Sequence, residues 1–200
     1  MMYSEHQKTW LAHWLTLEGK AEDAMTQTIA GARVDMNPHQ VDAAMFALAS
    51  PLSCGVILAD EVGLGKTIEA GLILAQMWAE RKRQLIIVCP AVLRKQWQEE
   101  LKDKFALDSI ILDSKPITQA KKDGIDLFNL LEPKILICSY NLINRDEYKL
   151  KLQNIRFDLA VFDEAHKLKN DKSKVYQAIQ EAFPTAKKIL LTATPLQNNL

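Results

Sequence analysis

Between an apolar run and a helix-forming run, the stretch "DEVGLGKT", Asp60 to Thr67, places two glycines, a lysine and a threonine. A phosphate needs backbone N–H groups pointing into a tight concavity. Glycine makes that turn with no Cβ in the way, which Gly63 and Gly65 provide. A helix starting near Lys66 adds unpaired N–H donors and the positive end of its dipole. The Lys66 ammonium then reaches β- and γ-phosphate oxygens, and the Thr67 hydroxyl suits a magnesium ion. The general pattern G-x-x-x-x-G-K-[ST] puts its first glycine where Asp60 stands, so the strict form is broken there. The candidate nucleotide cradle is Asp60, Glu61, Val62, Gly63, Leu64, Gly65, Lys66 and Thr67.

A nucleotide site also needs a carboxylate at the end of a neighbouring strand, holding the magnesium through its water shell. "LAVFDEAH" supplies Asp163 after an apolar run. Glu164, next along, is then placed to orient and deprotonate the water that attacks the γ-phosphate. Two acids after a strand also make an ordinary solvated loop. Their order here, cradle strand first, then βα units, then an acidic strand end, favours the site.

The surrounding elements must bring these residues to one edge. From Gly55 onward "GVILA", "LIIVC", "SIILD", "ILICS", "LAVFD" and "KILLT" alternate with amphipathic stretches. Such alternation predicts βαβ units and a largely parallel sheet with helices on both faces. A helix is expected from Pro38, with Asn37 as N-cap, and another from about Tyr140. Residues 1–36, with Trp10, Leu11, Trp14 and Leu15 at helical spacing, read as a helical extension, and 37–200 as one α/β lobe. At 200 residues and 48% hydrophobic content, one core is the expectation. Lys plus Arg equals Asp plus Glu at 25 each, so no global field draws the chain to a polyanion or an anionic membrane. Cys54, Cys89 and Cys138 suit buried thiols in a reducing, cytoplasmic compartment better than a disulfide framework or zinc. No run approaches the ~18 apolar residues of a membrane span, and the charged start has no signal core.

With these residues in place a resemblance emerges. "DEVGLGKT", "DEAHKLKN" and "LTATPLQNNL" are similar to motifs I, II and III of the Swi/Snf-type helicase-like ATPases of superfamily two. "VCPAVLRKQW" resembles that family's motif Ia, and "ICSYNLI" its next nucleic-acid-facing segment. "NPHQ" and "DEVGLGKTIEAG" are most similar to the bacterial branch that includes the RNA-polymerase-associated ATPase. The family has an acid where Asp60 stands, while Val62 and Ala193 depart from its usual Met and Gly. The resemblance covers roughly Asn37 to the end. It implies the first RecA-like lobe of an ATP- and magnesium-dependent translocase on double-stranded DNA, nucleoid-associated, with RNA polymerase as a further partner. It also implies a second lobe carrying an arginine finger, so this lobe alone is expected to be a near-inactive monomer. An RNA helicase lobe and a non-catalytic nucleotide- or partner-binding module are the rival readings.

The resemblance further assigns Gln40 to adenine, although it also stands three after Asn37, where a capping-box glutamine would. It makes His166, Thr192 and Thr194 couple the nucleotide site to the DNA groove; blandly, the threonines are turn residues. Arg94, Lys95, Ser139, Tyr140 and Asn141 follow strands at the cradle edge and are candidate nucleic-acid contacts. Lys167, Lys169, Lys172 and Lys174 could join them or simply face water. Trp97 lies at helical spacing with Leu93 and Leu101 and reads as core.

Overall fold

A computed structural model of the chain describes residues 25, 28–29, 31–34, 37–49, 55–59, 65–128, 133–168 and 174–193. Six strands are defined: β1 (Gly55–Leu58), β2 (Leu85–Cys89), β3 (Ser109–Ile111), β4 (Ile135–Ser139), β5 (Leu159–Phe162) and β6 (Lys187–Leu191). They form one sheet in the order β1-β6-β5-β2-β4-β3, and every pairing is parallel. All six C-terminal ends therefore lie on one edge, where ligands of open α/β sheets bind. The central strands β2, β4 and β5 are buried at every position, as expected of strands covered on both faces. Edge strand β1 instead alternates exposed and buried, leaving Ile57 47% exposed.

Seven helices are defined: α1 (Pro38–Ala49), α2 (Lys66–Ala79), α3 (Arg94–Phe105), α4 (Ser114–Lys122), α5 (Tyr140–Ile143), α6 (Asp146–Gln153) and α7 (Lys174–Ala182). Side-chain alternation splits the strands other than β1 between two cores. Ile87, Cys89, Ile137 and Val161 join α1, α2 and α3 on one face; Ile86, Val88, Cys138 and Phe162 join α4 to α7 on the other. Gly71 lets α2 and α3 approach closely: a Cβ there would lie 2.2 Å from Cε2 of Phe105. Met25, Ile29, Ala32 and Val34 pack on the α1–α3 core, and Arg33 N–H donates to the Lys104 carbonyl at 2.7 Å. Residues 1–24, with Trp10 and Trp14, residues 26–27, 30 and 35–36, and Cys54 lie outside the described residues.

Two local expectations are refined. The helix from Tyr140 is two helices, because Arg145 turns extended (φ −91°, ψ 122°) and starts α6. The stretch from Ala91 opens as a 3-10 turn, Ala91–Leu93, before α3. Its Val92 is 85% exposed.

Candidate functional site

The cradle's last three residues are described; Asp60, Glu61, Val62, Gly63 and Leu64 lie outside the described residues. Gly65 caps α2 at φ 94°, ψ 28°, a left-handed conformation that favours glycine. Its carbonyl accepts from the N–H groups of Ile68 (2.7 Å) and Glu69 (3.1 Å), which opens the helix. Lys66 and Thr67 thus occupy the first turn of a 14-residue helix, half-buried, at its positive end. Together with Gln40, Trp97, Asp163 and Glu164 they line a cleft of about 540 Å³ at the C-terminal sheet edge, walled on one side by α3.

Gln40 is 4% exposed, and its Oε1 accepts the Asn37 N–H at 3.0 Å. That is half of a capping box, and it explains why Pro38 begins a stable helix. The side chain also lies against Gly65: a Cβ there would stand 2.0 Å from Gln40 Nε2.

At the end of β5, Asp163 is held on three atoms. Trp97 Nε1 donates to Oδ2 at 2.9 Å, Glu164 N–H donates to Oδ1 at 2.8 Å, and Tyr140 O–H donates to the main-chain oxygen at 2.6 Å. Burial pushes the Asp163 carboxyl up from the ordinary aspartate range. The two donated hydrogen bonds oppose that shift, the Glu164 charge adds to it, and Lys66 lowers it. Glu164 itself is left-handed, at φ 54°, a conformation that costs a non-glycine residue about 1 kcal/mol or more. Its carboxylate stands 3.0 Å from Nδ1 of His166.

His166 and Thr192 are brought together, lining an apolar cavity of about 260 Å³ with Leu168, Tyr176 and Leu190. Thr192 N–H donates to the Leu58 carbonyl at 3.1 Å, tying the end of β6 to the end of β1. Thr194 lies outside the described residues.

The five nucleic-acid candidates separate into buried and exposed groups. Ser139 is buried, and its Oγ accepts the Leu142 N–H at 3.3 Å as the cap of α5. Tyr140 is buried on Asp163. Arg94 is bound to Asp113 at 3.0 Å, with its side chain 16% exposed. Lys95 and Asn141 face solvent. Among the lysines, Lys174 is exposed, while Lys169, Lys172 and the Lys167 side chain lie outside the described residues.

Spacing placed Trp97 in the core, where it is, 2% exposed, but did not show its hydrogen bond. The available signal was chemical: a buried indole N–H needs an acceptor, and the apolar residues around it offer none.

A parallel sheet with a left-handed glycine, a lysine and a threonine opening a helix, opposite an acidic strand end, is the RecA-like α/β fold of P-loop ATPases. The SNF2-related domain model matches residues 2–200, and the chain belongs to that family, the Swi/Snf-type helicase-like ATPases. It is 37% identical over 166 residues to the uncharacterized ATP-dependent helicase YqhH of Bacillus subtilis, covering 82% of this chain and 27% of that protein. It is 38% identical over 178 residues to the RNA polymerase-associated protein RapA of Erwinia tasmaniensis, covering 86% of this chain and 18% of that one. The structure is similar to the Sulfolobus solfataricus SWI2/SNF2 ATPase core in complex with dsDNA, with TM-score 0.70 and 25% identity over 84% of this chain and 34% of that one. The chain thus spans about a quarter or less of these two curated relatives. Among the described residues no helix is long and apolar enough to cross a membrane.

Proposed function

We propose that the chain is the first ATP-binding lobe of a motor that moves along double-stranded DNA, hydrolysing ATP only together with a second lobe. The observation that carries this reading is the convergence of Lys66, Thr67, Asp163 and Glu164 on one cleft at the sheet edge. Support for DNA comes from the Sulfolobus neighbour, named as a complex with dsDNA, and support for RNA polymerase as a partner comes from relatives named RapA. A cytoplasmic, nucleoid-associated site of action belongs to the same reading, and both names support it.

In this reading the α2 N-terminus and Lys66 hold the β- and γ-phosphates, and residues 60–64 complete the cradle. Among the described residues no three His, Cys, Asp or Glu side chains gather to hold a metal by themselves. Thr67 and Asp163 instead offer hard oxygen donors beside the phosphate position, which fits magnesium, an ion that keeps waters and shares substrate phosphates. Magnesium would neutralise charge developing on the phosphates. Glu164 orients the attacking water and takes its proton; His166, at Nδ1, steadies that carboxylate. Gln40 keeps its oxygen on the α1 cap while its amide edge meets adenine. Lys95 and Asn141 face the duplex, with Arg94 behind them. His166, Thr192 and Thr194 pass the state of the site to the groove. The charge on the γ-phosphate still calls for an arginine finger, worth ~10³ to 10⁵ in rate, from the second lobe.

Steady-state ATPase assays test this on residues 1–200 and on the full-length protein, each with duplex DNA and with RNA. Turnover is expected only in the full-length protein and only duplex DNA should raise it. DNA-stimulated turnover by residues 1–200 alone would overturn the two-lobe mechanism, and stimulation by RNA alone would overturn the duplex. Lys66→Ala is expected to abolish measurable ATP binding by calorimetry; unchanged affinity in a folded variant would remove the cradle.

A further inference from the structure

Two different segments reach one aspartate. Trp97 sits in the first turns of α3, after the 3-10 turn that follows β2, and Tyr140 opens α5 directly after β4. Each ring is buried, and each spends its single O–H or N–H donor on Asp163: the indole on the carboxylate, the phenol on the main-chain oxygen. In each segment a residue near the ring faces solvent at the same sheet edge. Lys95 and Val92 precede Trp97, and Asn141 follows Tyr140. A buried donor with one acceptor is costly to leave unmade, so the ring and the aspartate move together or lose the bond. The other carboxylate oxygen is bound by Glu164 N–H, whose own left-handed backbone restricts any compensating rotation.

We propose that Trp97 and Tyr140 are positioning residues, through which a duplex seated on the segments after β2 and β4 sets where Asp163 stands and so how well the cleft holds magnesium with nucleotide. The inference rests on the ATPase reading above and adds a route distinct from His166, Thr192 and Thr194. It also gives the buried Tyr140 a role that needs no contact with DNA. The rings are levers: their exposed neighbours receive the load, and their donors deliver it to the carboxylate.

The test uses Trp97→Phe and Tyr140→Phe in the full-length protein, since each keeps a ring in the core and deletes one donor. Calorimetry with ADP, in magnesium and in EDTA, reads the cleft without turnover; ATPase rates with and without duplex DNA read the route. The tie predicts EDTA affinity unchanged, the gain from magnesium reduced about tenfold in Trp97→Phe and several-fold in Tyr140→Phe, and DNA stimulation reduced in parallel. The double variant should show less than the combined effect, because both bonds hold one residue. Equal loss of affinity in magnesium and EDTA would show mere packing damage and overturn the proposal, as would wild-type magnesium dependence and stimulation in both variants. If Trp97→Phe fails to fold, Tyr140→Phe alone decides by the same readouts. Absence of turnover in the unmodified protein would sink the ATPase reading instead, and the calorimetric comparison would still decide whether these rings set the cleft's hold on magnesium.

Discussion

The two faces of the sheet are built from different chemistry. On the α4–α7 face the core is aromatic: Phe157 and Phe183 meet edge to face at 5.4 Å, Phe162 and Phe183 at 5.7 Å, and Phe128 stacks near Tyr148. The α1–α3 face is mostly aliphatic, its buried aromatics being Trp97 and Phe105 with Trp78 packed at the margin, yet its helices bury Gln40, Glu69 and Gln76. Packing on the aromatic face rests mainly on shape, with the Tyr140 hydroxyl on the Asp163 main-chain oxygen as its polar exception. On the other face it must also hold polar groups at fixed positions, because that layer carries the helix that starts at Lys66 and the indole that reaches Asp163. One layer is a support and the other an instrument. Substitutions should therefore separate, Tyr140 apart, into losses of stability and losses of activity according to the face they fall on.

The largest expected effect lies at the instrument's edge. Glu164→Gln in the full-length protein should keep nucleotide affinity and lower kcat by about 10²- to 10⁴-fold, since an amide of the same shape accepts no proton from water. Parental turnover would take Glu164 out of the mechanism. Next, Phe157→Ala on the supporting face should cost about 3–5 kcal/mol in denaturant unfolding while leaving the ADP affinity of the folded fraction alone. A selective loss of affinity would break the contrast between faces. Gly71→Ala should cost about 1–3 kcal/mol, because the new methyl meets the Phe105 ring. Displacing α3 carries Trp97 with it, so here stability and magnesium dependence should fall together, and a purely thermal defect would weaken the contrast. The smallest effect compares Glu164→Gly with Glu164→Ala: at φ 54° glycine should be the more stable by about 1 kcal/mol in thermal unfolding. Equal stability would mean that the left-handed backbone stores nothing.

Much of this layout was legible from residue order. Six apolar runs gave six strands within a residue or two at their ends, and the βα alternation put the ends of β1 and β5, with Lys66 and Asp163, on one edge. What could not be read was where buried hydrogen-bonding groups spend their donors. Tyr140 and Ser139 carry the chemistry of a phosphate contact, and only the packing of β4 against its neighbours shows that Tyr140 O–H donates to Asp163 while Ser139 Oγ accepts the Leu142 N–H. The split at Arg145 was equally hidden, because nothing in "SYNLINRDEY" includes a proline or glycine to mark it. Gln40 had been open between a cap and a ligand contact; the Asn37 N–H shows the cap in place.

The pairing of Gly55 with Lys188 has a consequence for how the molecule comes into being. Among the described strands β1 has β6 as its one neighbour, and β6 is the last of them to be made. At ribosomal rates of ~5–20 residues per second, on the order of ten seconds pass between synthesis of the two. During that interval β2, β4 and β3 can already pair, and β5 can join them, while the strand that leads into the phosphate cradle has no ladder to sit in. Nucleotide therefore cannot chaperone the early chain. It can reward only a sheet in which β1 and β6 have paired, which makes docking of β6 the step on which the proposed nucleotide site waits.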